Sequence, residues 1–147
     1  MSKPLPVRIR PAVEGDASFI FSSWLKSFRD NGLAKPVNNE VYFSEQHKLI
    51  ERLLKTATVQ VACDPNDAAS IYGWSCYERV EGIFVIHYTY IKHPFRGLGI
   101  ASAILAESKH DFNTAGLFTH WTTAALRLHD KKNLMYHLYI LINYGSK

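Results

Sequence analysis

Cysteine is scarce in this sequence, which contains only Cys63 and Cys76 among its 147 residues. The two form no Cys-x-x-Cys pair and have no histidine at ligand spacing, so the sequence argues against a disulfide framework and a cysteine-based metal site. We expect both cysteines to be small core residues of strands, and we predict no metal site.

Long hydrophobic runs are also missing. No apolar segment approaches the roughly twenty residues that a membrane-spanning helix needs. The first residues, from Met1 to Pro4, lack the apolar centre of a signal peptide. The sequence therefore predicts a protein of the cytoplasm with no membrane partner.

Charge of one sign is not concentrated in any part of the chain. The formal net charge is +4 and the pI is near 9.1, but Lys and Arg are scattered and form no basic stripe. This charge is compatible with nucleic acid as a partner but does not indicate it. The same modest excess suits a ligand that carries several negative charges.

The composition is sufficient for one folded domain. A length of 147 residues is close to the commonest domain size, and 47% of the residues are hydrophobic. We therefore expect a single domain that spans residues 1–147 and buries a core of its own.

The most informative segment is an apolar run that ends in a turn containing glycine. Residues 83–91 are rich in β-branched and aromatic side chains and predict a strand. Pro94 ends this strand because proline cannot donate a backbone hydrogen bond. Apolar residues recur at helical spacing from Ile100. Gly97 and Gly99 stand between the two elements, where they permit positive φ and the close approach of a ligand.

Such a turn predicts a binding site for phosphate or pyrophosphate. The first turn of a helix leaves N–H groups without internal partners at the positive end of the helix dipole. The guanidinium of Arg96 adds a permanent positive charge. The lysine of a Walker loop and the spacing of a Gly-x-Gly-x-x-Gly fingerprint are both absent. The alternative is an ordinary strand–turn–helix corner in which the glycines have a steric role alone.

The remaining sequence predicts helices and strands in mixed order around this turn. Pro11 ends a short first strand at 7–10, and Asp16 is placed to cap the helix that follows. The segment 33–43 predicts a loop, after which Ser44 is placed to cap a second helix. The other predicted elements are strands at 58–63, 71–78 and 117–122, a tight link at 81–82, helices at 17–30, 45–55 and 123–132, and a last strand at 138–142.

Two segments resemble one known family. The spacing Arg96-x-x-Gly99-x-Ala101 resembles motif A of the GCN5-related N-acetyltransferase (GNAT) superfamily. The segment Arg8-Ile9-Arg10-Pro11-Ala12-x-x-x-Asp16 resembles the first strand and first-helix cap of the same family. The resemblance implies a mixed α/β fold, in the α+β class. Its central sheet is mostly antiparallel and is flanked by about four helices. It also implies that strands four and five run parallel and splay apart.

The resemblance implies an acetyl-CoA-dependent N-acetyltransferase that transfers an acyl group directly from the thioester of coenzyme A to an amine. Acetyl-CoA, or another acyl-CoA, is the implied cofactor. Its pantetheine arm would add hydrogen bonds to the backbone of strand four, and its pyrophosphate would bind the turn. The residues that match the family's cofactor-binding segment are Ile91, Lys92, His93, Arg96, Gly97, Leu98, Gly99, Ile100 and Ala101.

The same resemblance implies a proton acceptor and a group that protonates the leaving thiolate. His87, Tyr88 and Tyr90 on strand four are candidates for proton transfer, and a bulge, which is common there in the family, would change the face on which each lies. On strand five, His120 is a candidate base or a hydrogen-bonded structural histidine. Tyr136 is the candidate that protonates the thiolate, or a core or edge tyrosine.

The sequence leaves the amine acceptor open. In this family the loop and helices between the first two strands form one wall of the acceptor site, so Tyr42, Phe43 and His47 are candidates for substrate contact or for core packing. An acidic pocket would indicate a polyamine or a lysine. The acidic residues that would line it, or be solvated surface charges, are Glu40, Glu45, Glu78 and Glu107.

Two alternatives to this enzyme follow from the same residues. One is a catalytically inactive GNAT fold that serves as a binding module, because strand four has no acidic residue and the signature around Tyr136 is compressed. The other is a relative that modifies nucleobases. Residues 119–122 and the short ending resemble small acyltransferase-like proteins of bacteriophages, which would place the protein in the host cytoplasm. A homodimer that pairs the last strands is a further expectation.

Overall fold

The computed structural model describes residues 5–29, 39–111, 114, 116–119 and 134–136, with the backbone alone for residues 29, 39–43 and 134–136. In chain order, the elements are β1 Arg8–Pro11, α1 Ala17–Arg29, α2 Asn39–Thr56, β2 Thr58–Asp64, β3 Asp67–Val80, β4 Ile83–Ile91, α3 Ile100–Ala106, β5 Gly116–Phe118 and β6 Leu134–Tyr136. Short 3-10 helices precede α1 and follow β4.

The strands form one sheet, in which their order is the same as in the chain. Strands β1 to β4 are antiparallel neighbours, whereas β4 pairs with β5, and β5 with β6, in the parallel sense. The mixed α+β fold is thus confirmed, as is the parallel pairing of strands four and five. The predicted helix at 123–132 and the predicted last strand at 138–142 lie outside the described residues.

The start of α2 differs from the predicted one. The predicted loop 33–43 is wrong in its last part, because α2 already begins at Asn39 and not after Ser44. Pro36 and the paired asparagines Asn38 and Asn39 are typical of a loop, and Ser44 resembles a helix cap, so the sequence places the start of the helix several residues too late.

Two strands extend beyond their predicted ends. β1 includes Pro11, which is tolerated because β1 is an edge strand within the described sheet. β3 continues to Val80, where the positive φ angles of Glu81 (51°) and Gly82 (82°) form a two-residue link to Ile83. Turn residues with positive φ match the twist of paired strands, so the pairing of β3 with β4 is kept up to the link.

The sheet separates two apolar layers. On one face, α1 and α2 pack around the fully buried rings of Trp24 and Trp74. On the other face, α3 packs against the sheet through Ile100, Ile104 and Leu105. None of the helices in the described part of the chain is long and apolar enough to cross a membrane.

Both cysteines are free thiols in the layer under α1 and α2, which confirms them as core residues. Burial, and to a smaller extent the charge of the nearby Glu78, raises the pKa of the Cys76 thiol. Since a thiol must ionise to react, Cys76 is an inert core residue near neutral pH.

Candidate active site

Strand β5 pairs with only part of β4. Residues 84–86 pair with residues 116–118, and the N–H of Thr119 donates to the carbonyl oxygen of Ile86 at 3.1 Å. Along residues 87–91, the described part of the chain gives β4 no strand partner on this side. We call this stretch, residues 87–91, the open edge of β4.

Two residues of the open edge direct their backbone groups away from β3. The N–H of Lys92 donates to the carbonyl oxygen of Tyr72 on β3 at 2.8 Å. Since successive strand residues direct their N–H and C=O groups to opposite sides, those of Ile91 and Thr89 are directed to the side that β5 has left. A ligand with amide groups can therefore continue the sheet at these two residues.

A short 3-10 helix, His93–Phe95, follows the open edge and begins the turn toward α3. The N–H of Phe95 donates to the carbonyl oxygen of Lys92 at 2.9 Å. The ring of Phe95 stacks on Tyr72 with 4.2 Å between the centroids. The turn is closed by Arg96, whose Nε donates to the carbonyl oxygen of Ile91 at 2.8 Å.

The two glycines of the turn have the positive φ angles that their predicted role requires. The φ angle is 77° at Gly97 and 78° at Gly99. No described atom lies within 4 Å of the position that a β-carbon would take on either glycine. Gly99 directly precedes α3, and its carbonyl oxygen accepts from the N–H of Ala103 at 3.0 Å. The turn therefore presents accessible backbone at the start of α3, as the sequence predicts.

A bulge in β4 lies where the open edge begins. In the pairing with β3, Tyr88 lies opposite Cys76 and Ile86 opposite Tyr77, so His87 is the extra residue of the bulge. The bulge reverses the alternation of faces. Ile86 packs under α3, whereas Tyr88 packs under α1 and α2. The sequence alone does not show on which face of the sheet each of these side chains lies, whereas the register of β3 and β4 does.

The bulged His87 makes polar contacts with residues of both neighbouring strands. Its Nδ1 lies 3.2 Å from Oγ1 of Thr119, and its Nε2 lies 3.5 Å from Oε1 of Glu78. The side chain of Glu78 is 11% exposed, and that of His87 is 1% exposed. We call Glu78, His87 and Thr119 the apex cluster. Sequence reasoning missed it, because Glu78 comes from a different strand and only the register of β3 and β4 brings it to the bulge.

The chain as a whole is similar in fold to solved acetyltransferases. One, from Corynebacterium glutamicum, described as "histone acetyltransferase HPA2 and related acetyltransferase", aligns over 86% of this chain and 83% of its own, with a TM-score of 0.63 and 15% identity. A putative acetyl transferase from Pyrococcus furiosus aligns over 90% and 82%, with a TM-score of 0.54 and 18% identity. The chain has the GNAT fold.

A third structure with this fold is a GNAT-family acetyltransferase from Brucella melitensis, solved in complex with acetyl-CoA. It aligns over 71% of this chain and 66% of its own, with a TM-score of 0.51 and 16% identity. No protein-family model and no curated protein sequence matches the chain. At these identities the similarity establishes the GNAT fold that the sequence resemblance implies.

Of the tyrosines predicted for catalysis on β4 of this GNAT fold, Tyr88 lies in the core. It is 3% exposed, stacks on Trp24 at 4.9 Å between centroids, and its hydroxyl lies 2.6 Å from Oγ of Ser27. Tyr90 is half-buried on the same face and contacts the edge of the Phe19 ring at 6.2 Å. These contacts give Tyr88 a packing role, while Tyr90 stays nearer to solvent.

The structure describes some of the other predicted site residues in full, some by their backbone alone, and one not at all. His120 lies outside the described residues, and the backbone of Tyr136 lies on β6, next to β5. The backbones of Tyr42 and Phe43 lie on α2. His47, on the same helix, is exposed and stacks on Phe21 at 4.7 Å. Among the acidic candidates with described side chains, Glu45 and Glu107 are exposed, and Glu78 belongs to the apex cluster.

Proposed function

We propose that this protein is an acyl-CoA-dependent N-acyltransferase that acts on an amine. The observation that carries the proposal is the open edge of β4, which leads directly into the turn with two glycines of positive φ. The GNAT fold supports the same class of activity, since solved structures with this fold include acetyltransferases with coenzyme A or acetyl-CoA bound.

The residues of the open edge fit the chemical groups of coenzyme A. The amides of the pantetheine arm match the N–H and C=O groups of Thr89 and Ile91, as in the addition of a strand to a sheet. The pyrophosphate matches the accessible backbone at Gly97 and Gly99, with the charge of Arg96 beside it. When bound, the cofactor supplies an activated acyl carbonyl and a thiolate leaving group.

The protein contributes mainly orientation and electrostatics to such a reaction. Holding two reactants at attack distance contributes about 7 kcal/mol or more to lowering the barrier. The inactive alternative was favoured by the lack of an acidic residue in strand four. Glu78 weakens that argument, because it reaches the β4 bulge from the neighbouring strand.

Calorimetric titration with acetyl-CoA and with free CoA tests the proposal. We expect micromolar binding by the unmodified protein, strong loss of binding in Gly99→Asp, and much smaller loss in Gly99→Asn. The two variants have the same shape and Asn tolerates a positive φ, so the difference between them reports repulsion of the cofactor phosphates. Absence of binding by the unmodified protein would contradict the proposed function.

A further inference from the structure

The apex cluster places suitable groups beside both ring nitrogens of its histidine. Nε2 of His87 lies 3.5 Å from Oε1 of Glu78, an ion-pair distance when the ring is protonated, and Nδ1 lies 3.2 Å from the hydroxyl of Thr119, which can donate or accept. In a neutral imidazole that carries its proton on Nε2, the hydroxyl donates to Nδ1. In an imidazolium, Nδ1–H donates to the hydroxyl, which turns to the carbonyl oxygen of His87 at 3.4 Å.

Two other titratable residues lie beside His87 in the register of β3 and β4, Cys76 and Tyr88. Burial raises the pKa of the Cys76 thiol, so Cys76 stays neutral. The hydroxyl of Tyr88 is in contact with Ser27. Glu78 is therefore the charged group that the described part of the chain brings to His87.

The cluster is also at the correct end of the open edge. The turn that fits the pyrophosphate follows Ile91, and His87 lies at the other end of the edge, about 13 Å away at roughly 3.3 Å per residue. A pantetheine arm that runs along Ile91 and Thr89 is directed toward His87. Glu78 is two residues after Cys76 on β3 and so lies on the same face of the sheet, under α1 and α2, with 11% of its side chain exposed.

Resting on the proposed function, we propose that the Glu78–His87 pair is the proton acceptor of the acyl transfer. Glu78 is the catalytic residue that meets the amine, and His87 is the positioning residue that shares the proton and is itself held by Thr119. An acceptor that arrives as an ammonium first gives one proton to the pair, which releases it to solvent. The neutral nitrogen then forms a bond to the acyl carbon, the carbon–sulfur bond breaks, and the second proton of the nitrogen goes to the departing sulfur, so the protein ends unchanged.

The first test needs no activity. With 15N-labelled histidine, NMR follows the ring nitrogens of His87 in the full chain. We expect Glu78→Gln to change the His87 ring signals, and Glu107→Gln, which removes an exposed carboxylate at the end of α3, to leave them in place. Unchanged His87 signals in Glu78→Gln would overturn the proposal.

The second test compares two small amines as acceptors of the acetyl group. Ethylamine carries a proton at neutral pH, whereas hydroxylamine is largely uncharged. Glu78→Gln should lower kcat for ethylamine about 100-fold and affect hydroxylamine much less, while calorimetry shows an unchanged Kd for acetyl-CoA. Thr119→Val should shift the pH–rate profile, and Thr119→Ser, which keeps the hydroxyl, should restore it.

The outcomes separate this inference from the proposed function. Acetyl-CoA binding with undiminished ethylamine acetylation in Glu78→Gln overturns the inference alone, and so does an equal loss with both amines. Absence of acetyl-CoA binding by the unmodified protein overturns the proposed function, and with it the inference. His87→Gln, which removes the shared proton but keeps a polar side chain, must reproduce the loss seen with Glu78→Gln.

Discussion

Nε of Arg96 donates to the carbonyl oxygen of Ile91 at 2.8 Å, which joins the turn to the last residue of strand β4. The guanidinium carries donors beyond this one, so its terminal nitrogens can bind an anion while Nε holds the side chain in place. The same residue thus organises the turn and supplies its charge.

Arg96 variants should separate these two contributions. Arg96→Lys keeps the charge but loses the Nε bond, and we expect it to weaken CoA binding about tenfold, or about 1.4 kcal/mol. Arg96→Ala loses both, and we expect a loss of roughly 100-fold by the same scale. Calorimetry with free CoA measures both values. Full affinity in Arg96→Lys would show that the bond to Ile91 does not organise the site.

Gly73 of β3 lies against the same end of β4, and we expect its replacement to destabilise the fold. A β-carbon at Gly73 would lie 2.5 Å from the carbonyl oxygen of Tyr90 and 2.5 Å from Cδ1 of Ile91. Because the first of these atoms is backbone, the strands must move apart. Gly73→Ala should lower the free energy of unfolding by about 1–3 kcal/mol.

Urea denaturation measures the effect of Gly73→Ala, with Gly15→Ala as the control. Within the described part of the chain, no atom lies within 4 Å of a β-carbon at Gly15, so this substitution should change stability by about 0.5 kcal/mol or less. Equal stability of the two variants would contradict the close approach of β3 and β4 at Gly73.

The sequence predicted the region around the turn well because independent signals agree there. The β-branched run fixes β4, Pro94 ends it, and the helical spacing from Ile100 starts α3, so each element limits the others. The same order of strand, turn and helix predicts the positive φ angles that Gly97 and Gly99 have in the structure. These signals are local, so one sequence is sufficient to read them.

The apex cluster and the extended α2 depend on information that is not local. Glu78 resembles any surface carboxylate in the sequence, and its position is set by the register of β3 against β4 and by the bulge at His87. A bulge inserts one residue into a strand without a distinctive sequence. For α2, the paired asparagines and the cap-like Ser44 resemble a loop that ends in a helix start, whereas the stability of the helix comes from packing further along the chain.

A substitution of Tyr88 tests whether its side chain serves core packing or proton transfer in catalysis. Its ring stacks on Trp24 and Trp74, and its hydroxyl lies 2.6 Å from Oγ of Ser27. Tyr88→Phe keeps the stacking and removes this hydrogen bond, so we expect a loss of about 1 kcal/mol in stability and an unchanged kcat. Thermal unfolding and acetylation of ethylamine measure the two quantities. A fall in kcat of about 100-fold without loss of stability would instead make Tyr88 a catalytic acid or base.

The pair of Arg10 and Asp16 predicts how stability depends on pH. Nη1 of Arg10 donates to Oδ2 of Asp16 at 2.8 Å and Nη2 donates to Oδ1 at 3.0 Å, while the N–H of Val13 donates to Oδ2 at 2.8 Å. The hydrogen bonds from Arg10, and less strongly the one from Val13, lower the pKa of Asp16 against the opposing effect of burial. Asp16 directly precedes α1, but these bonds direct its carboxylate back toward β1.

Because the pKa of Asp16 is lower in the folded than in the unfolded protein, its stabilising effect is complete above the unfolded value, about 3.9. The effect is lost as the pH falls through the folded value. Asp16→Asn should therefore lower the free energy of unfolding by about 1–3 kcal/mol at neutral pH, and this difference should shrink below about pH 4. Urea denaturation at neutral and acid pH measures this difference.

Glu45→Gln serves as the control. Glu45 forms an exposed pair with Lys48, and its replacement should change the free energy of unfolding by less than about 1 kcal/mol at neutral pH. If Asp16→Asn lowers the free energy of unfolding by the same amount in acid as at neutral pH, the charge of the Asp16 carboxylate is not what stabilises the contact with Arg10.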